Sequence, residues 1–309
     1  MKKFLPVVLI LILALTGIAA AEAPYSLSVK LDEGDTSYTA RLIAVNGDKV
    51  GMNLGETAVT FTIDGKNEEG LIFTPDTMMD KVENDLITPI NSSFALPEKT
   101  EITLAVHDTE TPVVTLVWEQ MEMDPLYQGV IDKISAVLGG AESDQEEKDE
   151  RDYSVMFDQA ASMGSAENMG FIFRDLDNDG SVEMLLGENI GDESVLYDLY
   201  AIVDGELVHL FDGWDRSRFY LAENGGFIHK GSSSAFDSSV GYYYYNEGKF
   251  IFMQAIIYNQ NLDPENPWHL STTSETEFSA DDQIMTEEEA QYAISMYPAQ
   301  HINFEPFEF

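Results

Sequence analysis

Carboxylates alternate along Asp175-Leu176-Asp177-Asn178-Asp179-Gly180, and Ser181 and Glu183 follow them. Oxygen ligands at every second position, ending in a glycine that permits a sharp turn, are how a loop wraps a hard cation. On the EF-hand scheme Asp175, Asp177 and Asp179 take positions 1, 3 and 5, Gly180 position 6, the Ser181 carbonyl position 7 and Glu183 position 9. Position 12, where that scheme carries a bidentate Glu, is Leu186. The remaining ligands then come from Glu183, from a carboxylate elsewhere such as Glu188, or from water; otherwise the site is weak. A loop rich in Asp, Asn and Gly also forms without metal, because these residues favour turns in their own right. Three carboxylates so close together nonetheless repel one another unless a cation or solvent screens them. A flexible, many-oxygen loop suits calcium better than magnesium, in a structural rather than a catalytic role.

Other chemistry is thinner. His229 precedes Gly231-Ser232-Ser233-Ser234, but a nucleophile elbow needs a strand, a sharp turn and a helix, and a flexible hairpin loop explains these serines better. The five histidines include no HExxH pattern, which argues against zinc. A hydrolase acting through two carboxylates stays open, since an acidic chain supplies many such pairs. For binding, Trp214, Tyr242, Tyr244 and Trp268 are candidates for a platform that stacks on a sugar or peptide. Strand alternation sends Tyr242 and Tyr244 to one face and Tyr243 and Tyr245 to the other, so one pair belongs to the core.

The elements that position these residues read as mostly β. Residues 24–121 alternate apolar and polar, as in Tyr25, Leu27, Val29 and Leu31, with turn pairs at Asn46-Gly47 and Asp64-Gly65. This predicts a β-sandwich-like domain. The period changes at Asp124-Pro125, where Asp124 caps a helix that stops at Gly139-Gly140. A charged stretch over 142–152, a solvated linker or an exposed helix start, leads to a second helix containing Met156, Phe157 and Ala160. In the resulting α+β unit, 124–309, Phe171-Phe173 and Val182-Leu186 make the cation loop 175–183 the connection of a hairpin. An antiparallel meander follows, with turns at Asp204-Gly205, Asn224-Gly225-Gly226 and Asn246-Glu247-Gly248. Their spacing of about twenty residues suggests a propeller-like or barrel-like sheet. Thr286 and Glu289 form a capping box that opens a last helix.

Composition sets the surroundings. Lys2-Lys3, the apolar run from Phe4 to Leu15 and the small residues up to Ala23 have the order of a secretory signal over residues 1–21, with cleavage after Ala21 or Ala23. The expected location is extracellular, with no membrane segment once the signal is removed. Without cysteine the chain holds no disulfide, thiolate metal site or thiol nucleophile. Sixteen Lys and Arg against 56 Asp and Glu give a formal net charge of −40, which excludes nucleic acid and anionic membranes as partners. Cations and cationic ligands suit that field better, although such a surface also simply keeps an exported protein soluble, and an extracellular glycan or protein is the expected partner.

The residues Glu167-Asn168-Met169-Gly170-Phe171 leading into the acidic loop, with Leu210-Phe211-Asp212-Gly213, Lys230-Gly231-Ser232-Ser233 and Pro264-Glu265-Asn266-Pro267-Trp268 after it, resemble a set of uncharacterised secreted proteins of Gram-positive anaerobic bacteria over 125–309. The loop itself is similar to the hairpin calcium loops of FG-GAP and VCBS repeats and, more distantly, to dockerin loops. That resemblance implies calcium at Asp175, Asp177, Asp179, the Ser181 carbonyl and Glu183. It supplies a site and a compartment but no reaction. The expectation is a secreted calcium-binding module, a scaffold or a binder of carbohydrate or peptide, rather than an enzyme.

Overall fold

The structure, a computed structural model, describes every residue except 1–10, 16–23, 34–35, 45–47, 55–56, 84–85, 109–112, 141–151, 278, 280 and 303. The expected cleavage region at Ala21 to Ala23, the Asn46-Gly47 turn and most of the charged linker lie outside the described residues. The fold is α+β and mostly β, with 54% strand, three α-helices and antiparallel sheets among the described residues. The chain divides into two compact units, Met1–Met123 and Asp124–Phe309.

The first unit holds β1 (Leu11–Leu15), β2 (Tyr25–Glu33), β3 (Thr36–Ala44), β4 (Asp48–Leu54), β5 (Thr57–Asn67), β6 (Gly70–Pro75), β7 (Met79–Glu83), β8 (Leu86–Ile90), β9 (Phe94–Leu96), β10 (Ile102–Val106) and β11 (Val114–Gln120). One sheet runs β1-β4-β5-β6-β9 and the other β3-β2-β11-β10-β7-β8. Alternate residues of both meet in one core, with Leu27, Leu104 and Trp118 from one sheet against Phe61, Ile63 and Phe73 from the other. Trp118 Nε1 donates to Leu96 O at 2.6 Å, tying β11 to β9 across the sandwich. Asp64-Gly65 is not the turn that its sequence suggests. It is a bulge in which two residues of β5 face one of β6, and Gly65 supplies the positive φ of +82°. The chain reverses four residues later, where the Asn67 side chain accepts from the amides of Glu69 and Gly70.

The second unit opens with α1 (Pro125–Leu138) and α2 (Val155–Met163), whose caps are the side chains of Asp124 and Ser154. A 3-10 turn then leads into β12 (Met169–Arg174), β13 (Glu183–Ile190), β14 (Glu193–Val203), β15 (Glu206–Asp212), β16 (Ser217–Leu221), β17 (Phe227–Ser234), β18 (Asp237–Asn246), β19 (Lys249–Asn259), β20 (Trp268–Ser271) and β21 (Gln283–Met285). Helix α3 (Glu287–Ser295), with the Thr286 and Glu289 capping box, precedes β22 (Glu305–Pro306). Eleven strands form one sheet, in the order β21-β20-β19-β18-β17-β16-β14-β13-β12-β22, with β15 also paired to β14. Strand β16 joins β14 rather than β15, and from β16 to β21 each strand adds to the edge left by the one before. The turns Asp204-Gly205 and Glu247-Gly248 have positive φ at both residues, the geometry that matches strand twist.

No sheet among the described residues closes into a barrel, so the barrel-like or propeller-like closure suggested by the turn spacing gives way to an open meander. Strand β22 takes the free edge of β12 and leaves β21 at the other end without a closing partner in the sheet order. Strands β12, β13 and β14 are buried over consecutive residues, which means that both of their faces are covered. Tyr127 of α1 packs on Phe173 at 5.5 Å, and Phe157 of α2 on Phe307 at 5.9 Å. Gly231 to Ser234, expected in a loop, lie in β17 and pair with β18.

Asp198 of β14 anchors α2. Its oxygens accept from the Ser154 amide at 3.0 and 3.2 Å, and His209 Nε2 lies 2.7 Å from Oδ1. Burial pushes the Asp198 carboxyl up to about 6, against the lowering contact with His209. Burial lowers the His209 imidazole, but the hydrogen bond and charge of Asp198 leave it raised overall. Both groups therefore hold protons more tightly in the folded chain. Their contribution to stability is complete below the ordinary values of 3.8 and 6.5 and is lost as pH rises through the folded ones. Asp198→Asn removes this dependence. In urea titrations the stability of the wild type relative to that variant is expected to fall by on the order of 1 kcal/mol between about pH 5 and pH 8. A difference that stays constant over that range refutes the assignment.

Candidate cation site and tyrosine pocket

The β12–β13 hairpin presents Asp175 to Val182 as its connection, and the acidic side chains first serve the loop itself. Asp175 accepts from the amides of Asp179 at 3.1 Å and Gly180 at 3.1 Å, Asp177 from Asp179 at 3.3 Å, and Asp179 from Ser181 at 2.7 Å. Asn178 and Gly180 take φ values of +61° and +91°, which Asn and Gly tolerate best. The backbone is thus folded around its carboxylates by ordinary turn chemistry.

Three carboxylates converge. Ligand atoms of Asp175, Asp177 and Glu183 lie within 4.8 Å of one another. Asp179 stands outside that group, exposed and engaged with the Ser181 amide, and Ser181 is exposed as well. Glu188, the other carboxylate that the sequence offers, accepts from the Tyr197 hydroxyl at 2.6 Å instead. Leu186 is fully buried in β13. Burial pushes the Glu183 carboxyl up to about 8; the Leu176 amide and Tyr245 hydroxyl oppose the rise, and Asp177 and Asp175 add to it. Asp175 is raised by burial and by the charges of Asp179 and Asp177, against the Gly180 amide. Negative charge crowded into a partly dehydrated place is what a divalent cation relieves.

The loop is fastened from outside by groups that its motif does not announce. Glu183 accepts from the Leu176 amide at 2.9 Å and from the Tyr245 hydroxyl at 2.9 Å. Asp177 Oδ2 accepts from the Glu247 amide at 2.7 Å, in the turn between β18 and β19. Tyr127 of α1 donates to Val182 O at 2.6 Å. Two segments far from the loop in sequence, α1 and the end of β18 with its following turn, thereby fix where the carboxylates stand. Period-two patterning flags Tyr245 only as an aromatic on a strand, and nothing in the sequence flags Tyr127 or the Glu247 amide.

Beside the loop is a cavity of about 520 Å³, whose wall includes Leu176 and Asn178 of the loop together with Asn224, Tyr242, Tyr244 and Gln254. None of its lining residues is charged, in a chain that is 23% Asp, Glu, Lys and Arg. The Tyr242 ring tilts against Tyr297 at 4.0 Å, and its hydroxyl is buried with no hydrogen-bond partner among the described residues. Of the four platform residues read from the sequence, Tyr242 and Tyr244 line this cavity. Trp214, 48% exposed, and Trp268, which packs on Tyr258 at 4.7 Å, do not. The expected alternation of the tyrosines is also corrected. Tyr242 pairs with Gln254 and Tyr243 with Phe252, so Met253 bulges from β19, and the buried residues are Tyr242 and Tyr245 rather than an alternating pair.

Asp177 has two separable roles, as acceptor for Glu247 and as charge. In chelator, Asp177→Asn keeps an acceptor and relieves repulsion, so its stability is expected to equal or exceed that of the wild type. Asp177→Ala loses the acceptor and is expected to cost about 1–2 kcal/mol in a urea titration. Equal stability of the alanine variant and the wild type removes the anchoring role.

No family model, curated protein or solved structure matches this chain.

Proposed function

We propose that this chain is an exported, calcium-stabilised binding module whose second unit takes a neutral saccharide in the tyrosine-lined cavity beside the acidic loop. The observation that carries this reading is the lining itself. Phenols, amides and a thioether surround the cavity without a charge, although the protein as a whole is strongly anionic. Aromatic faces stack on the C–H faces of sugar rings, while phenol and amide groups exchange hydrogen bonds with hydroxyls. The Tyr242 hydroxyl, a donor and acceptor, is buried and has no hydrogen-bond partner among the described residues. A charged ligand would find no counter-charge in that wall.

Calcium is assigned a structural part. Asp175, Asp177 and Glu183 supply the converging oxygens, and Leu176 and Asn178 of the same loop form part of the cavity wall. A cation that holds the loop therefore holds the wall. Among its described residues the N-terminal sandwich carries no comparable carboxylate cluster, and it is assigned a spacer or interaction role outside the cell.

Two measurements test this. Calcium at about a hundred times its dissociation constant adds roughly 2.7 kcal/mol if only the folded state binds it, so the wild type is expected to melt several degrees higher in calcium than in chelator. Asp175→Asn is expected to abolish that gain, and an unchanged wild-type melting temperature defeats the calcium reading. On a glycan array the protein is expected to retain neutral oligosaccharides over sulfated or sialylated ones. Tyr242→Phe is expected to weaken binding about tenfold through loss of one buried hydrogen bond. Preference for anionic glycans defeats the pocket reading.

A further inference from the structure

A second constellation lies on the sheet face formed by β16, β17 and β18. Ser217 Oγ is 2.9 Å from His229 Nε2, and His229 Nδ1 is hydrogen-bonded to the Glu275 carboxylate. Glu275 arrives from the segment after β20, 46 positions away in the chain. It also accepts from the Tyr243 hydroxyl and, at 3.3 Å, from Ser239 Oγ. An ionised carboxylate only accepts, so Glu275 keeps the proton on Nδ1 and leaves the Nε2 lone pair toward the Ser217 hydroxyl. Phe219 stacks under the imidazole at 4.3 Å and fixes its plane.

The neighbouring glycines make room for this order. Gly241 pairs with His229 across β17 and β18, and a Cβ there would stand 2.6 Å from Glu275 Oε1. Gly231 pairs with Ser217 across β16 and β17, and a Cβ there would stand 3.3 Å from His229 Cε1. A side chain at Gly241 would displace the acid from the imidazole. The side chains of His229 and Glu275 are 14% and 12% exposed, so the relay is sheltered but not sealed.

We propose that Ser217, His229 and Glu275 form an acyl-transfer site for a small uncharged carboxylic ester, with Ser217 as nucleophile, His229 as general base and Glu275 as a positioning residue. Ser217 Oγ bonds to the ester carbonyl carbon while His229 Nε2 takes its proton. The bond from that carbon to the alcohol oxygen breaks, and the alcohol leaves with the proton from Nε2. Water then attacks the acyl-serine by the same base, releasing the acid and restoring Ser217. The preference for an uncharged ester rests on the pocket reading, because Tyr243 both lines the uncharged cavity and donates to Glu275. The reactivity of Ser217 does not rest on it.

The test uses an uncharged alkyl fluorophosphonate, which loses fluoride to an activated serine, on the full chain in calcium, with the adduct mapped by peptide mass spectrometry. The adduct is expected on Ser217, absent from Ser217→Ala, and formed at least a hundredfold more slowly in His229→Gln. Glu275→Gln is expected to slow it about tenfold and to abolish the low-field Nδ1–H proton resonance that Ser217→Ala retains. Variants are compared at matched melting temperature. A folded wild type that carries no adduct on Ser217, or one labelled equally fast in His229→Gln, overturns the proposal. Saccharide binding measured on the same samples reports the pocket reading separately, since it persists when only the serine assignment fails.

Discussion

The carboxylate of Glu183 sits where a surface loop enters a sheet buried on both faces, and its burial sets the terms for its neighbours. A dehydrated anion is costly unless donors surround it. One oxygen is met by the Leu176 amide and the other by the Tyr245 hydroxyl. The first bond folds the loop back on its own base, and the second fixes the end of β18 against β13, a strand that is not its neighbour in the sheet. The Glu247 amide on Asp177 repeats the connection one turn further. The loop, a surface element by position, is in this way built into the second unit.

Strand β18 is common to the cavity, the Ser217–His229–Glu275 relay and the acidic loop. Tyr242 lies against Tyr297 with a hydroxyl that has no partner among the described residues, Tyr243 donates to Glu275, Tyr244 is exposed and Tyr245 donates to Glu183. Four consecutive residues of one type thus face four different surroundings. A regular strand has only two sides to offer. The bulge at Met253 on β19 increases local twist and shifts the pairing at this point, which lets neighbouring tyrosines reach the cavity, the relay and the loop at once.

What the sequence makes legible and what it hides follow from range. Caps and two-residue turns are local contests of hydrogen bonds and φ, so Asp124-Pro125, Thr286 with Glu289, Asp204-Gly205 and Glu247-Gly248 could be read directly. Asp64-Gly65 misleads because a glycine at positive φ serves a bulge as well as a turn, and only the partner strand decides between them. The serines after His229 look like a loop because Gly and Ser favour turns, yet pairing with β18 overrides that preference. In the acidic motif, Asp175, Asp177 and Glu183 follow from spacing, whereas Asp179 is diverted by the Ser181 amide. Glu275 was out of reach, since no periodicity links it to His229.

The contrast between the charge of the whole and the neutrality of the cavity places a limit on the ligand. A surface carrying a formal −40 repels anions at long range, although screening confines that repulsion to roughly 8–10 Å at physiological ionic strength. Inside the cavity the nearest groups are phenols, amides and a thioether, which neither neutralise an anion nor compensate a cation's lost hydration. A cation would gather at the acidic exterior and lose by entering. An anion would be opposed at both stages. On the proposed reading, a neutral, hydroxyl-rich molecule is indifferent to the field and would meet stacking surfaces and hydrogen-bond partners once inside, so the acidic exterior would favour uncharged ligands at the tyrosines.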